Sequence, residues 1–282
     1  MSVVVAGGTG FLGRHIVAAL AAADCDPVSV SRGGVAPVPG VRTMAADVRS
    51  PAAVQDLLSS LRPRSLVFAV RSDIADDHQA AGAIAEAGEA CGVDRVIVLS
   101  SAAVYGTQTA SAIAAVKESD PRRGTSEYAR SKIAIEDTFR EATVTTTMLR
   151  VFNVTGPGEP PNLVVRSLLE RIRGGEDPLT VSNAAASRDF IDVRDVATAV
   201  VKAVMEPAPW HAVNVCSGQS TFIGELAAQC IALMDADCSL VTDHTGDASL
   251  GDPGRALRWG WMPQYTLANS LADSVTEIRA AR

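Results

Sequence analysis

The sequence predicts an α/β protein, a doubly wound parallel sheet with a smaller C-terminal domain after it, and three observations carry this. Short β-branched runs alternate with longer Ala-rich stretches of helical period. A glycine-rich turn follows the first run at once. The alternation then stops after Gly158, where Glu159-Pro160-Pro161 breaks the chain.

In chain order, the apolar run at 3–6 opens the sheet, and 14–22 repeats apolar residues at helical spacing. Further strands are expected at 28–31, 42–45, 66–70, 96–100 and 146–150, with helices between most of them. The stretch 76–91 holds Gly82 and Gly88, each costing a helix up to about 1 kcal/mol against alanine. The crossover between parallel strands still calls for a helix there. Beyond the break, 163–173 reads as a helix ended by Gly174-Gly175. Segments 188–205 and 212–215 read as a helix and a strand returning to the main sheet, and a last helical stretch starts at Phe222. Trp259 and Trp261 are expected to be packing anchors.

A chain of 282 residues, 47% hydrophobic, can bury one large core or a main domain with a smaller companion. Its net charge of −7 argues against nonspecific nucleic-acid binding, which needs a basic surface. An anionic ligand must therefore meet locally placed arginines. The five cysteines are odd in number, scattered and without a C-x-x-C pair or a histidine at ligand spacing, so reduced thiols and no metal site are expected. The N-terminal run breaks at Gly7 with no basic residues before it, unlike a signal peptide, and no apolar stretch is long enough to span a bilayer. A soluble, cytoplasmic protein without membrane partners is expected.

The turn reads Gly7-Gly8-Thr9-Gly10-Phe11-Leu12-Gly13, glycines three apart between a strand and a helix. In a Rossmann βαβ unit such glycines give the tight turn (Gly7), backbone approach to a pyrophosphate (Gly10) and close helix packing (Gly13), while the helix N-terminus attracts the anion. Residues 1–158, with returning segments near 188–215, are thus expected to bind a dinucleotide, and 159–282 mainly to bind substrate. The second strand ends in Ser31-Arg32, where an acidic residue would select the free ribose hydroxyl of NAD. A guanidinium there can pair with a 2′-phosphate, so NADP(H) is expected over NAD(H). Ala69 and Val70, ending the fourth strand, complete this wall with Thr9, Phe11 and Leu12.

The fifth strand ends in Ser100-Ser101, and carboxyl ends of such strands face the ligand crevice. Tyr128 and Lys132 stand at i, i+4 on an expected helix and share a face. A phenol is a poor acid at neutral pH, and a neighbouring ammonium favours its ionised form. This makes Tyr128 the expected general acid/base, Lys132 its tuning cation, and Ser101 the hydrogen-bonding group that holds a substrate carbonyl. Singly, each has a plain structural reading; together, after the glycine turn, they point to hydride chemistry.

With the glycine turn, Ser100-Ser101-Ala102-Ala103-Val104-Tyr105-Gly106 and Tyr128-x-x-x-Lys132, the sequence resembles the extended short-chain dehydrogenase/reductase family over nearly its whole length. The resemblance implies that Asp47-Val48 line the adenine pocket and that Phe152 lies against the cofactor. It also implies that Asn153, Asn162 and Leu163 contact substrate and that Arg188 meets a substrate diphosphate. Departures are Gln79 where the family usually has Asn, a short stretch after Val70, and His244 where the family often has a phosphate-gripping arginine. Ser101-Ala102-Ala103 lacks the acidic pair of the dehydratase branch.

The leading expectation is an NADP(H)-dependent reductase of a ketone, with an NDP-4-keto-6-deoxyhexose as the candidate substrate. The alternative is an NDP-sugar 4-epimerase that recycles a tightly held cofactor, and a remote one is a noncatalytic NADP(H) sensor. The Ala-rich helices at 78–91 and 128–142 could form a homodimer face, although alanine is also simply a good helix former.

Overall fold

The computed structural model describes residues 1–71, 73–109, 113–243 and 245–280. Its elements begin with β1 (Ser2–Ala6), α1 (Phe11–Ala22), β2 (Asp26–Ser31), β3 (Arg42–Ala45), α2 (Pro51–Leu61), β4 (Ser65–Phe68), α3 (Ile74–Ala90) and β5 (Arg95–Ser101). There follow β6 (Gln108–Thr109), α4 (Glu127–Glu141), β7 (Thr145–Val151), β8 (Asn153–Thr155), α5 (Val164–Arg173), β9 (Leu179–Val181) and β10 (Ser187–Asp192). The chain closes with α6 (Val193–Met205), β11 (Ala212–Val215), β12 (Ser220–Phe222), α7 (Ile223–Met234), β13 (Leu240–Thr242), β14 (Asp247–Ser249), α8 (Gly254–Arg258) and α9 (Leu267–Ala280).

Seven parallel strands form the main sheet in the order β11-β7-β5-β4-β1-β2-β3. Helices cover both faces, which is why β1 and β4 are apolar with no polar alternation. On one face α1 and α6 pack Ile16, Leu20, Val196 and Val200 over Val3, Val5 and Val67. On the other, Leu58, Ile84, Ile135 and Phe139 cover Val4, Leu66 and Phe68. The strand order reverses between β1 and β4, and the crevice at that reversal is where such sheets bind ligands.

A second lobe has its own core of Val165, Leu168, Leu169, Leu226, Ala227, Leu271 and Ile278 from α5, α7 and α9. One expectation is corrected here. The start of 188–205 is not helix but β10, which joins the small sheet β12-β10-β14-β6 and also pairs with β8. Asp192, the last residue of β10, then caps α6 by accepting from the Arg194 amide at 2.8 Å. The fourth strand ends at Phe68, two residues short of the expected Val70, which frees Ala69 and Val70 to line the crevice. Trp259 and Trp261 are buried in the first core, as expected of packing anchors.

Candidate active site

The glycine turn follows β1 directly. Gly7 adopts φ +85°, and a Cβ on it would lie 2.6 Å from the Ala69 carbonyl oxygen. A Cβ on Gly13 would stand 2.0 Å from the Gly7 oxygen, so α1 can press against the turn only through glycine. Gly8, which sequence reasoning passed over, is held as tightly, 2.4 Å from Ser29 Oγ. Gly10 differs: it is extended, and its Cβ would meet only the Gly7 oxygen at 3.4 Å. The protein's own packing does not demand glycine there. A bare backbone at the N-cap of α1, with no side-chain cap and no acid in the first turn, is the cradle a pyrophosphate requires.

This turn forms one end of a cavity of about 990 Å³, which also takes in Thr9, Phe11, Leu12, Ser31, Arg32, Asp47, Val48, Ala69, Val70, Asn162 and Leu163. The cavity thus brings together the expected cofactor contacts of the glycine turn, β2, Asp47-Val48 and Ala69-Val70, whereas Tyr128, Lys132 and Phe152, also expected to meet the cofactor, lie outside its lining. It adds Arg14, Arg49 and Arg71, which sequence reasoning missed. Arg49 donates to both oxygens of Asp47 at 2.7–3.1 Å and to Asp76 at 2.7 Å. These hydrogen bonds hold the Asp47 carboxyl down to about 2. Arg14 donates to the Gly158 carbonyl, and His15 Nε2–H donates to Pro157 O at 2.9 Å. From the far side Glu277 accepts from the Gly158 amide. The 157–163 segment is thereby fastened across the cavity from the glycine turn.

At the Arg71 end the guanidinium carbon lies 5.3 Å from the Tyr128 ring centre, with Lys132 beside Tyr128 and Ser101 at the end of β5, the strand that Lys132 bonds. Ser126 caps α4 by accepting from the Ala129 amide at 3.1 Å, which sets Tyr128 in the helix's first turn. Tyr128 is 37% exposed, open to a ligand, while Lys132 is buried with its ammonium 5.8 Å from the Tyr128 ring centre. Lys132 Nζ donates to the Leu99 carbonyl at 3.4 Å, holding α4 to the end of β5. Ser101 Oγ accepts from the Ala103 amide at 3.2 Å and keeps its hydroxyl proton for another partner.

Beneath this group lies a buried polar network that the motifs did not disclose. Glu136, one turn beyond Lys132, accepts both arms of the Arg150 fork at 2.9 and 2.8 Å and the Ser100 hydroxyl at 2.6 Å. Arg150 also donates to Tyr105 Oη at 2.9 Å, and Tyr105 donates to Asn214 Oδ1 at 2.6 Å. Burial pushes the Tyr105 phenol up to about 12, so it remains a donor. The network ties α4, β5, β7 and β11 together at the level of the catalytic residues. A spacing of 128, 132 and 136 was the one signal that could have found it.

Other expected contacts fall elsewhere. Phe152 is buried with Tyr105 and Cys216, away from the cavity lining. Asn153 Nδ2 donates to the Asp189 carbonyl at 3.2 Å. Arg188 donates to Asp247 Oδ1 at 2.6 Å and to Asp247 O at 3.0 Å, an engagement a diphosphate would have to share. Gln79 is exposed on α3, and its neighbour His78 makes the cross-helix bond instead, Nε2–H to Ser131 O at 3.2 Å. His244 lies outside the described residues. Among the described residues no cluster of His, Cys, Asp or Glu could hold a metal, and no helix is long and apolar enough to cross a membrane.

A glycine cradle at the strand reversal, with a Ser-Tyr-Lys group beside it, defines an NAD(P)-dependent oxidoreductase or epimerase of the extended short-chain dehydrogenase/reductase type. The chain belongs to the NAD dependent epimerase/dehydratase family, whose model matches residues 3–216. It is 27% identical to dTDP-6-deoxy-L-talose 4-dehydrogenase (NAD(P)(+)) of Kitasatospora kifunensis over 307 residues, covering 96% of this chain and 93% of that protein. The fold matches the UDP-glucose 4-epimerase of Thermus thermophilus in complex with NAD, with a TM-score of 0.88, 24% identity and full coverage of both chains. It also matches that of Thermotoga maritima with UDP-glucose, with a TM-score of 0.89, 22% identity and 99% of each chain covered.

Proposed function

We propose that this protein is an NADP(H)-dependent reductase of a ketone, the ketone being a keto-sugar nucleotide. The observation that carries the cofactor choice is the state of Arg32. It lines the cavity at the end of β2 and makes no hydrogen bond or ion pair to any described residue. Asp47, which feels its charge, is already held by Arg49. A guanidinium left unneutralised at this place suits a 2′-phosphate. The cofactor would be held by Gly7–Gly13, Ser31, Arg32, Asp47, Val48, Ala69 and Val70. A nicotinamide bound there supplies the hydride.

The chain's own residues do the rest. Ser101 Oγ donates to the substrate carbonyl and fixes it beside Tyr128, which carries a proton at Oη and delivers it to the carbonyl oxygen as reduction proceeds. Lys132 keeps a cation beside the resulting phenolate. The dehydrogenase relative named above supports an oxidoreductase acting at a sugar C4. Substrate recognition would fall to Asn153, Asn162, Leu163 and Arg188 between the lobes, with residues 1–158 and 188–215 forming the cofactor domain. Cytoplasmic residence is supported by five cysteines that are all free thiols.

Affinities for NADPH and NADH in native protein and Arg32→Ala test the cofactor choice. NADPH binding should weaken at least tenfold and NADH binding little; unchanged NADPH affinity overturns it. Ketone-dependent NADPH oxidation, lost in Tyr128→Phe while NADPH binding persists, tests the reaction. The same triplet serves a 4-epimerase, the activity named for both structural neighbours, and conversion of a sugar nucleotide without NADPH consumption would establish that reading instead.

A further inference from the structure

Four arginines line the cavity in a protein of net charge −7, and their states divide them. Arg14 is bound to the Gly158 carbonyl and Arg49 to two aspartates. Arg32 stands at the end of β2 and is accounted for above. Arg71 remains. It follows Ala69 and Val70 at the carboxyl end of β4, is exposed, and makes no hydrogen bond or ion pair to any described residue. It lies against the proposed catalytic tyrosine: the guanidinium carbon is 5.3 Å from the centre of the Tyr128 ring.

A cation over an aromatic face at an exposed position gains only about 0.5–1 kcal/mol, so this stacking orients Arg71 without consuming its hydrogen-bonding capacity. All five N–H donors of the guanidinium stay available at the mouth of the reacting centre. Such a fork matches a carboxylate bidentately, and Asp76, an acid that shares the cavity, is already paired with Arg49 at 2.7 Å. Its position against the ring that protonates the substrate also limits where that ligand charge can be. It must lie close to the reacting carbonyl, not on a distant nucleotide.

We propose that Arg71 is a substrate-recognition residue that takes a carboxylate borne within about two bonds of the carbon at which reduction occurs. This rests on the reductase reading above and names its substrate class, an acidic keto sugar or other keto acid. The rival source of an oxyanion is the cofactor, whose phosphates have their own donors at the N-terminus of α1 and at Arg32.

The test uses two pairs of probes that differ in one carboxylate. UDP-glucuronate and UDP-glucose differ two bonds from C4, and pyruvate and methyl pyruvate differ in the free acid next to the ketone. Binding to the NADPH-loaded protein is measured by calorimetry for native, Arg71→Gln and Arg71→Lys proteins, with NADPH affinity followed by its fluorescence. In at least one pair the acid should bind tenfold or more tightly than its neutral partner. Arg71→Gln should bring that ratio close to one, Arg71→Lys should restore part of it, and NADPH affinity should stay within about twofold. No acid preference in either pair overturns the proposal. So does an Arg71→Gln protein whose main defect is weak NADPH binding, since Arg71 then serves a cofactor phosphate. Acid preference with no NADPH oxidation toward any ketone counts against the reductase reading alone.

Discussion

Replacing Arg150 by Met tests whether the buried network beneath Tyr128 and Lys132 holds the site together. Arg150 is 1% exposed and makes four hydrogen bonds, two to Glu136, one to Tyr105 and one to the Glu118 carbonyl. Methionine fills much of the volume but leaves Glu136, which is fully buried, with Ser100 at 2.6 Å, Arg140 at 3.2 Å and Arg122 at 3.5 Å. Removing one member of a buried ion pair costs about 3–5 kcal/mol. At roughly 2 °C per kcal/mol for a chain of this size, the melting temperature should fall by about 6–10 °C. Burial by itself would raise the Glu136 carboxyl, but the Arg150 fork, the Ser100 hydroxyl and the Arg140 charge outweigh it and hold the group below the ordinary glutamate range. A carboxyl depressed in the fold contributes stability above its unfolded pKa, near 4.5, and loses it as pH falls through the folded value. The native protein should therefore lose stability below about pH 4.5 more steeply than Arg150→Met. Urea unfolding at pH 7 and pH 4 reads both effects. The double variant Glu136→Leu/Arg150→Met, which removes both charges, should regain at least half of the loss. A cost below about 1 kcal/mol for Arg150→Met, or a double variant no more stable than the single, would refute the ion pair as the clamp.

Two glycines of the turn should separate folding from binding. Gly13→Ala, with its Cβ 2.0 Å from the Gly7 oxygen, should destabilise by about 1–3 kcal/mol, whereas Gly10→Ala should melt near the native temperature yet lose most of its NADPH affinity in fluorescence titration. Asp189 is buried and accepts the Ser217 amide and hydroxyl on one oxygen and the Gly218 and Gly251 amides on the other, so Asp189→Asn turns its NH₂ toward donors and should cost about 2–4 kcal/mol in urea unfolding. Burial lowers the His15 pKa below 6.5, so its neutral form is the one the fold stabilises; that contribution is present above pH 6.5 and is lost as pH falls through the folded value. His15→Gln should flatten the melting-temperature slope just below pH 6.5, and an unchanged slope would assign it to other groups.

The main sheet was legible because a parallel strand covered on both faces must be a β-branched apolar run, and the five runs after the first coincide with β2 to β5 and β7 to within two residues. The helix at 74–90 was legible despite two glycines because the crossover demanded it. β10 was not, because Arg188-Asp189-Phe190-Ile191-Asp192 mixes charges with apolar residues, and its Asp189 is satisfied only by loops brought from residues 217–218 and 251. The same reason hid the supports of the site. The 128, 132, 136 spacing marks Glu136 alone; its partner Arg150, and Tyr105 with Asn214 across 109 positions, come from other elements and share no short pattern with it. The glycine turn, Ser101, Tyr128 and Lys132 were visible because phosphate approach and proton transfer each dictate a short pattern. Arg49 and Arg71 belong to no such pattern, and only the folded cavity shows which arginines keep a free charge.

The fastening of the 157–163 segment to α1 through Arg14 and His15, 144 and 142 residues away, and to α9 through Glu277, 119 residues away, makes the cavity a joint between distant parts of the chain. Anything that fills it acts as a mortise pin, touching the first βα turn on one side and the segment leading into α5 on the other. Occupancy at a hundred times the dissociation constant adds about 2.7 kcal/mol to the stability of whatever it bridges. Cleavage within 157–163 by a protease would thus serve as a gauge of cofactor occupancy, read without knowing the substrate.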